Sequence, residues 1–572
     1  MARRDALAAT PSFRPPAGRC LGRRGVRSWL LPGAIVLPLC LCHTQSSPAL
    51  ELDAIYADGM VLQRDQPIVI RGRARPHAEV SVTFSRSQGS DKDAPSATSS
   101  ASDTGLWEVA LPARRPDDGS LTLTVTSEDH QQIRRDILVG DIWLCIGQSN
   151  MNFLMRPNPP WSDGVLDWER EVRAANDSRL RFFTVVPEAT HVHKDRVDGL
   201  WRTASPRFAG YLSAVPYFFG KGLREATGHP VGIIVCSLGG TSINGWSDPA
   251  ALRGDPATDA ASARHEHLRE SNAEAVRDYY AFTAARYRAS AIAQMAKPAR
   301  AAAYKEPYKG WRYQPSGLFN AMIHPLDSFP IRGILWYQGE SDTRDSQTYG
   351  EKLKRMILGQ RARRNRDMLP FIIVQLPNYD PVARGGDPTK LHNSWACLRE
   401  AQEAASSLPH TALVVTADVG DPLTIHPRDK KTVGFRAACA ASSLCDASPP
   451  AATGPVLISC RKEAGNVRLG FKDTSGALVI DATRSTGKGP DFQIAGPDGV
   501  FHAAEASVTA GEVLLSSPGV PDPVAVRYAF HNDPKLVLYD RNGFPARPFR
   551  RTVRSVENRR GTDNPQGPRL GR

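Results

Sequence analysis

Val139-Gly-Asp-Ile-Trp-Leu-Cys-Ile-Gly-Gln-Ser-Asn-Met151 is an apolar run that ends on a glycine and delivers one serine onto a sharp turn. Ile142 to Ile146 reads as a buried strand, Gly147 as its stop, and Gln148-Ser149-Asn150 as the opening of a helix. A serine placed there has free backbone N–H groups and the positive end of a helix dipole beside its hydroxyl, which favours a developing oxyanion. A Ser-Asn pair at a helix start serves equally well as an N-cap. The rest of the chain decides between a nucleophile and a cap.

Three later segments repeat the layout. Val231 to Cys236 runs into Ser237-Leu-Gly-Gly-Thr-Ser-Ile-Asn-Gly-Trp246, Ile331 to Tyr337 into Gln338-Gly-Glu-Ser-Asp342, and Ala412 to Ala417 through Asp418 to Ile425-His-Pro427. A further run, Phe371 to Leu376, carries no comparable motif. Helical patterns lie between these runs: Tyr211 to Thr227 stopped by Gly228, Thr348 to Arg364, Leu391 to Ser407, and Lys430 to Cys445. Strands alternating with helices predict an α/β class with a parallel sheet and right-handed crossovers, whose ligands sit beyond the carboxyl ends of the strands. All four motifs fall at that edge, which turn chemistry alone does not explain.

The motifs resemble those of the SGNH (GDSL-like) hydrolases, and among them the sialate O-acetylesterase family of carbohydrate esterases. Gly147-Gln-Ser-Asn-Met151 looks like that family's nucleophile block, Gly239-Gly-Thr-Ser-Ile243 like its second, Trp336-Tyr-Gln-Gly-Glu-Ser341 like its third, and Ile425-His-Pro427 like the block holding the base. The similarity extends from about Leu52 to Arg550. It implies a three-layer α/β/α catalytic domain with a parallel sheet, flanked by all-β sandwich-like modules. It also implies an esterase acting on O-acetylated sialic acid, with oxyanion donors in the Ser149 and Gly240 N–H groups and the Gln338 side-chain amide, and with Gln148 and Glu340 lining the site.

A serine hydroxyl needs an adjacent base, and His426, after the last strand of the series, is the candidate. His324, in Asn320-Ala-Met-Ile-His-Pro325, is the runner-up. The third triad member departs from the family pattern: three residues before His426 stands Leu423, where SGNH enzymes commonly carry Asp. Asp421 is the nearest carboxylate upstream and the assigned acid; Asp418, Glu340 or a backbone carbonyl giving a Ser-His dyad are the alternatives. Met151 stands where an α/β-hydrolase elbow would have its second glycine, which argues against a lipase-type site. His265-Glu-His267 lacks the spacing of a zinc protease and reads as solvated helix surface. The chemistry calls for no metal or organic cofactor.

At 572 residues the chain exceeds one ordinary core. Residues 49–138 read as a small β-sandwich, with Ser87 to Asp103 as a flexible hairpin loop, residues 139–448 as the hydrolase domain with an insertion at 248–314, and residues 449–549 as a second β module. Trp246 just before the insertion, and Tyr308, Trp311 and Tyr313 within it, are candidates for stacking on sugars, although packing is the commoner use of such residues.

The net charge of +13 suggests nucleic-acid binding until it is divided: residues 1–48 hold seven Arg and one Asp, residues 541–572 nine Arg and two acids, so the ends carry +6 and +7 and the remainder sums to zero. Nucleic acid is therefore not an expected partner, and residues 550–572 read as a disordered basic tail. Within residues 1–48, Arg23 to Arg27 precedes a short apolar run from Trp29 to Cys42, the pattern of a secretory signal and not of a membrane anchor. Export to a secreted, periplasmic or lysosomal destination follows, without stable membrane insertion. An oxidising compartment would allow a disulfide between two of Cys439, Cys445 and Cys460. The expected function is an exported serine esterase removing O-acetyl groups from sialic acids. An acetyl-xylan or other carbohydrate acetylesterase is the nearest alternative, and a glycan-binding protein with a decayed site is the competing class.

Overall fold

A computed structural model of the protein describes residues 50–86, 95–279, 308, 310, 313–445 and 453–554. The signal-like segment, the basic tail and Trp311 lie outside the described residues.

The central sheet contains, in chain order, β1 (His130–Gly147), β2 (Asp177–Val185), β3 (Gly199–Ala204), β4 (Val231–Ser237), β5 (Gly333–Tyr337), β6 (Phe371–Val374) and β7 (Thr411–Val414). Their spatial order is β3-β2-β4-β1-β5-β6-β7. From β2 to β7 every pairing is parallel; β3 joins β2 antiparallel, so the sheet is mixed where a parallel one was expected. The crossover helices are α1 (Ala214–Thr227), α2 (Ser346–Arg363), α3 (Ser394–Ala405) and α4 (Lys430–Cys445).

Alternate side chains of the strands divide into two cores, as the two-residue period of a strand requires. Trp143, Cys145, Ile233, Val235, Leu335 and Ile372 pack with Val215, Phe219 and Leu223 of α1 and Val433 and Ala437 of α4. Ile142, Leu144, Ile146, Ile234, Ile334 and Ile373 pack on the other face with Leu353 and Met356 of α2, Leu398 of α3, and the N-terminal β region. Strands buried on both faces explain why the sequence showed continuous apolar runs instead of alternation.

β1 is longer than the run that announced it. Its first half pairs antiparallel with the strand Asp117–Ser127, and the same strand then continues as the middle of the central sheet. The N-terminal region also holds a three-stranded sheet of Leu50–Leu52, Ile68–Ala74 and Leu106–Leu111. Part of the expected hairpin loop is instead a strand, Ser96–Ser100, paired with Glu79–Arg86, while residues 87–94 lie outside the described set. After α4, two four-stranded antiparallel sheets enclose a core of Val467, Leu469, Ile494, Val513, Val526 and Tyr528. Cys439 and Cys460 carry free thiols, so none of the three anticipated disulfide pairings forms. No helix among the described residues is long and apolar enough to cross a membrane.

Candidate active site

Register brings the motifs together. Gly147, the last residue of β1, lies opposite Ser237 of β4 and Tyr337 of β5, so the first three motifs leave the sheet level with one another. Gly147 is required there: a Cβ would sit 2.1 Å from the Tyr337 carbonyl oxygen and 2.9 Å from Met151 Cβ. Beyond it the chain makes a single turn, closed by Asn152 N–H donating to the Gln148 carbonyl at 2.9 Å, and the expected helix does not form. No helix dipole therefore acts on Ser149 from its own turn. What remains is local: the N–H groups of Ser149 and Gly240 donate to no acceptor among the described residues. Gly239 lies against Ser149, its Cβ position 3.5 Å from that of the serine. Gly240 is exposed at φ +71°, a conformation natural to glycine, with open space where a side chain would be.

Asn150 is fully buried and ties three elements to the serine turn. Its Nδ2 donates to Glu340 Oε1 at 2.5 Å and to the Ile425 carbonyl at 3.0 Å, while its Oδ1 accepts from Lys430 Nζ at 2.6 Å. The residue after Ser149 thus holds the residue before His426. Lys430, the first residue of α4, is buried beneath Phe153, whose ring centroid is 4.7 Å from Nζ. Burial pulls its pKa down to about 7 against the attraction of Glu340, and burial raises that of Glu340. Nothing in the sequence around Lys430 signals its burial, because a lysine opening a helix ordinarily faces water.

Gln148 and Gln338 form the opposite flank. Gln338 Nε2 donates to Gln148 Oε1 at 3.1 Å, to the Thr241 carbonyl at 3.0 Å and to Asp342 Oδ2, and its Oε1 accepts from Tyr349 O–H at 3.0 Å. Its amide is thus turned into the scaffold and away from the position of an oxyanion donor, which differs from the expectation for this residue. Gln148 is likewise buried, its Oε1 also accepting from Ser341 N–H at 3.3 Å. Asp342 accepts from Ile243 N–H at 3.0 Å, joining the third motif to the second, and burial pushes its carboxyl up to about 7.

His426 is half-buried on the loop between β7 and α4. Burial, then the charge of Lys430, hold its pKa below the ordinary 6.5 against a smaller opposing effect of the Trp161 backbone. No carboxylate contacts the ring among the described residues. Asp421, the assigned acid, instead accepts from Leu423 N–H at 2.8 Å and closes its own turn. Asp418 makes a bidentate pair with Arg436, 2.7 Å in both bonds, so neither upstream aspartate reaches the imidazole. His324, the runner-up, stacks on His193 with ring centroids 4.0 Å apart and lies in the turn 324–326 that precedes β5, whereas the motifs follow the strand ends. His265 is buried against Tyr308, not solvated, whereas Glu266 and His267 are exposed. Trp246 and Tyr308 are also buried, and Tyr313 is exposed.

A hydroxyl on an open turn, two unengaged N–H groups beside it, and an imidazole tethered next to that turn are the parts that acyl transfer needs. Comparison with known proteins agrees. The family model for carbohydrate esterases described as sialic acid-specific acetylesterases matches residues 139–276 and 306–442. The sialate O-acetylesterases of rat and human are each 27% identical, over 67% and 70% of this chain and 71% and 72% of their own. A carbohydrate acetylesterase from Xanthomonas citri is 34% identical and superposes with a TM-score of 0.71, over 88% of this chain and 99% of that one. The chain is a carboxylic ester hydrolase and belongs to the sialic acid-specific acetylesterase family of carbohydrate esterases.

Proposed function

We propose that this protein is an exported, SGNH-type serine esterase that removes O-acetyl groups from sialic acids by way of a Ser149 acyl-enzyme. The observation that carries the reading is the bond from Asn150 Nδ2 to the Ile425 carbonyl, which fastens the turn of the nucleophile to the loop of the base. Ser149 Oγ attacks the acetyl carbonyl carbon as His426 takes its proton, and the N–H groups of Ser149 and Gly240 receive the oxyanion. Collapse breaks the bond to the sugar oxygen, to which His426 returns the proton. Water, activated by the same imidazole, then attacks the acyl-enzyme and releases acetate. The Asp421 and Asp418 carboxylates are engaged elsewhere, so the machinery is a Ser-His dyad in which neither takes part. Sialic acid as the substrate is supported by the rat and human relatives; acetylated xylan is the alternative within the same chemistry.

The test is acetate release from 9-O-acetylated sialic acid, acetylated xylan and triacetin by the protein and its Ser149→Ala variant, with circular dichroism on both. The proposal predicts turnover of the sialoside that the variant loses. Turnover of xylan or triacetin alone keeps the mechanism and replaces the sugar; a folded protein inactive on every ester returns the chain to glycan binding.

A further inference from the structure

Three large apolar side chains that face solvent frame the His426 loop: Trp161 at 71% exposure, Leu423 at 58% and Leu166 at 54%. Exposed tryptophan is uncommon, because its large apolar surface ordinarily goes into a core or an interface. Trp161 sits on a firmly held support. Its segment turns back at 158–162, where Asn158 N–H donates to the Ser162 carbonyl at 2.9 Å and Trp161 N–H to the Asn158 carbonyl at 2.9 Å. The base of the loop is closed by Val165 N–H donating to the Met155 carbonyl at 3.0 Å. Arg428, two residues after His426, donates from Nε to the Gly164 carbonyl at 2.9 Å and from a terminal nitrogen to the Val165 carbonyl at 3.2 Å. Leu166 N–H closes the seam by donating to the Arg428 carbonyl. The loop that carries the indole and the loop that carries the base are thus one hydrogen-bonded unit.

The direction of the chemistry says what the indole faces. In deacetylation the imidazole delivers its proton to the oxygen of the departing sugar, so the sugar lies on the His426 side of Ser149 and the acetyl methyl on the other. The exposed face belonging to that side is the one made by Trp161, Leu423 and Leu166. We propose that Trp161 is the substrate platform of this enzyme, receiving the C–H face of the acetylated sugar ring, with Leu423 and Leu166 extending the apolar surface beneath it. This rests on the esterase reading above. It also explains the position three before the histidine: Leu423 is exposed and contributes surface where relatives of the broader class place a carboxylate.

The experiment measures kcat and KM for a ring-bearing ester, 9-O-acetylated sialoside or acetylated xylan, and for triacetin, which has no ring to stack. Wild type, Trp161→Ala and Trp161→Phe are compared, each checked for folding. The proposal predicts that the ratio of kcat/KM for the sugar ester over triacetin falls roughly three- to tenfold in Trp161→Ala, through KM, and that Trp161→Phe recovers most of it, the scale expected of aromatic stacking. An unchanged ratio overturns the platform. So does a loss shared by both substrates through kcat, which would mean that residue 161 acts only by holding His426. Ser149→Ala run in parallel reports on the esterase reading separately: loss of triacetin turnover with an unchanged Trp161 ratio sinks the platform and leaves the esterase standing.

Discussion

The two flanks of the Ser149 turn are built from the same two motifs and differ in charge. Gln148 and Asn150 stand on either side of the serine in sequence, and Gln338 and Glu340 are likewise two residues apart. On the Gln148 flank every partner is an amide, a hydroxyl or a backbone group except Asp342, whose carboxyl burial raises to about 7. On the Asn150 flank a buried lysine and a buried glutamate share one amide, and that amide also holds the His426 loop. The neutral flank locks the ends of β1, β4 and β5 to one another. The charged flank ties the Ser149 turn to the His426 loop. The Gln-Ser-Asn and Gln-Gly-Glu words of the sequence are therefore mostly framework, and in the proposed mechanism the reacting groups are the serine, two N–H groups and the imidazole.

Breaking the charged flank is expected to have the largest effect. Asn150→Ala removes the tether to Ile425 and strands Glu340 and Lys430, and kcat/KM should fall roughly 100-fold, the usual size for a residue that orients a reacting group. Thermal unfolding of the same variant should register a loss of about 1–3 kcal/mol from the unsatisfied groups. Full activity in a merely less stable protein would show that the flank is scaffold only. Gln338→Ala sharpens the other side of the comparison. It should cost about 1–3 kcal/mol of stability while lowering kcat less than roughly tenfold. A fall of about 100- to 1,000-fold in kcat at constant stability would restore the amide to the oxyanion site. The smallest effect is on pH dependence. His426 must be neutral to act as base, and burial and Lys430 lower its pKa, so the acid limb of kcat/KM should lie below 6.5. A carboxylate partner would raise that pKa and put the limb above 6.5. Lys430→Met should move the limb back toward 6.5, since it removes the cation that disfavours imidazolium.

The strands and helices that position the site were legible because their signals are local. Lys430–Cys445 matches its predicted span residue for residue, and α1 ends at Gly228 with φ +71°, as its glycine stop indicated. The missing helix after Ser149 was not legible, because it loses to distant partners: the Asn150 side chain is drawn to Glu340, Ile425 and Lys430, and only one turn survives. The burial of Lys430 depends on groups some 90 and 280 positions away in the chain, as Glu340 and Asn150 show. A signal was available for β1: the apolar residues continue back from Ile142 through Val139 to Ile137, so one strand crossing the boundary set at 138/139 was readable from the sequence.

The reading proposed above is that Ser149 is activated by His426 with no carboxylate behind the imidazole. It is tested most directly by the rate at which a fluorophosphonate labels the folded protein, with the modified peptide identified by mass, in wild type, His426→Ala and Asp421→Asn. The account predicts stoichiometric labelling at Ser149, slowed by roughly 1,000-fold or more without the histidine and within about threefold of wild type in Asp421→Asn, as expected of a surface turn residue. Labelling elsewhere, or a collapse in Asp421→Asn as deep as that in His426→Ala, would contradict it.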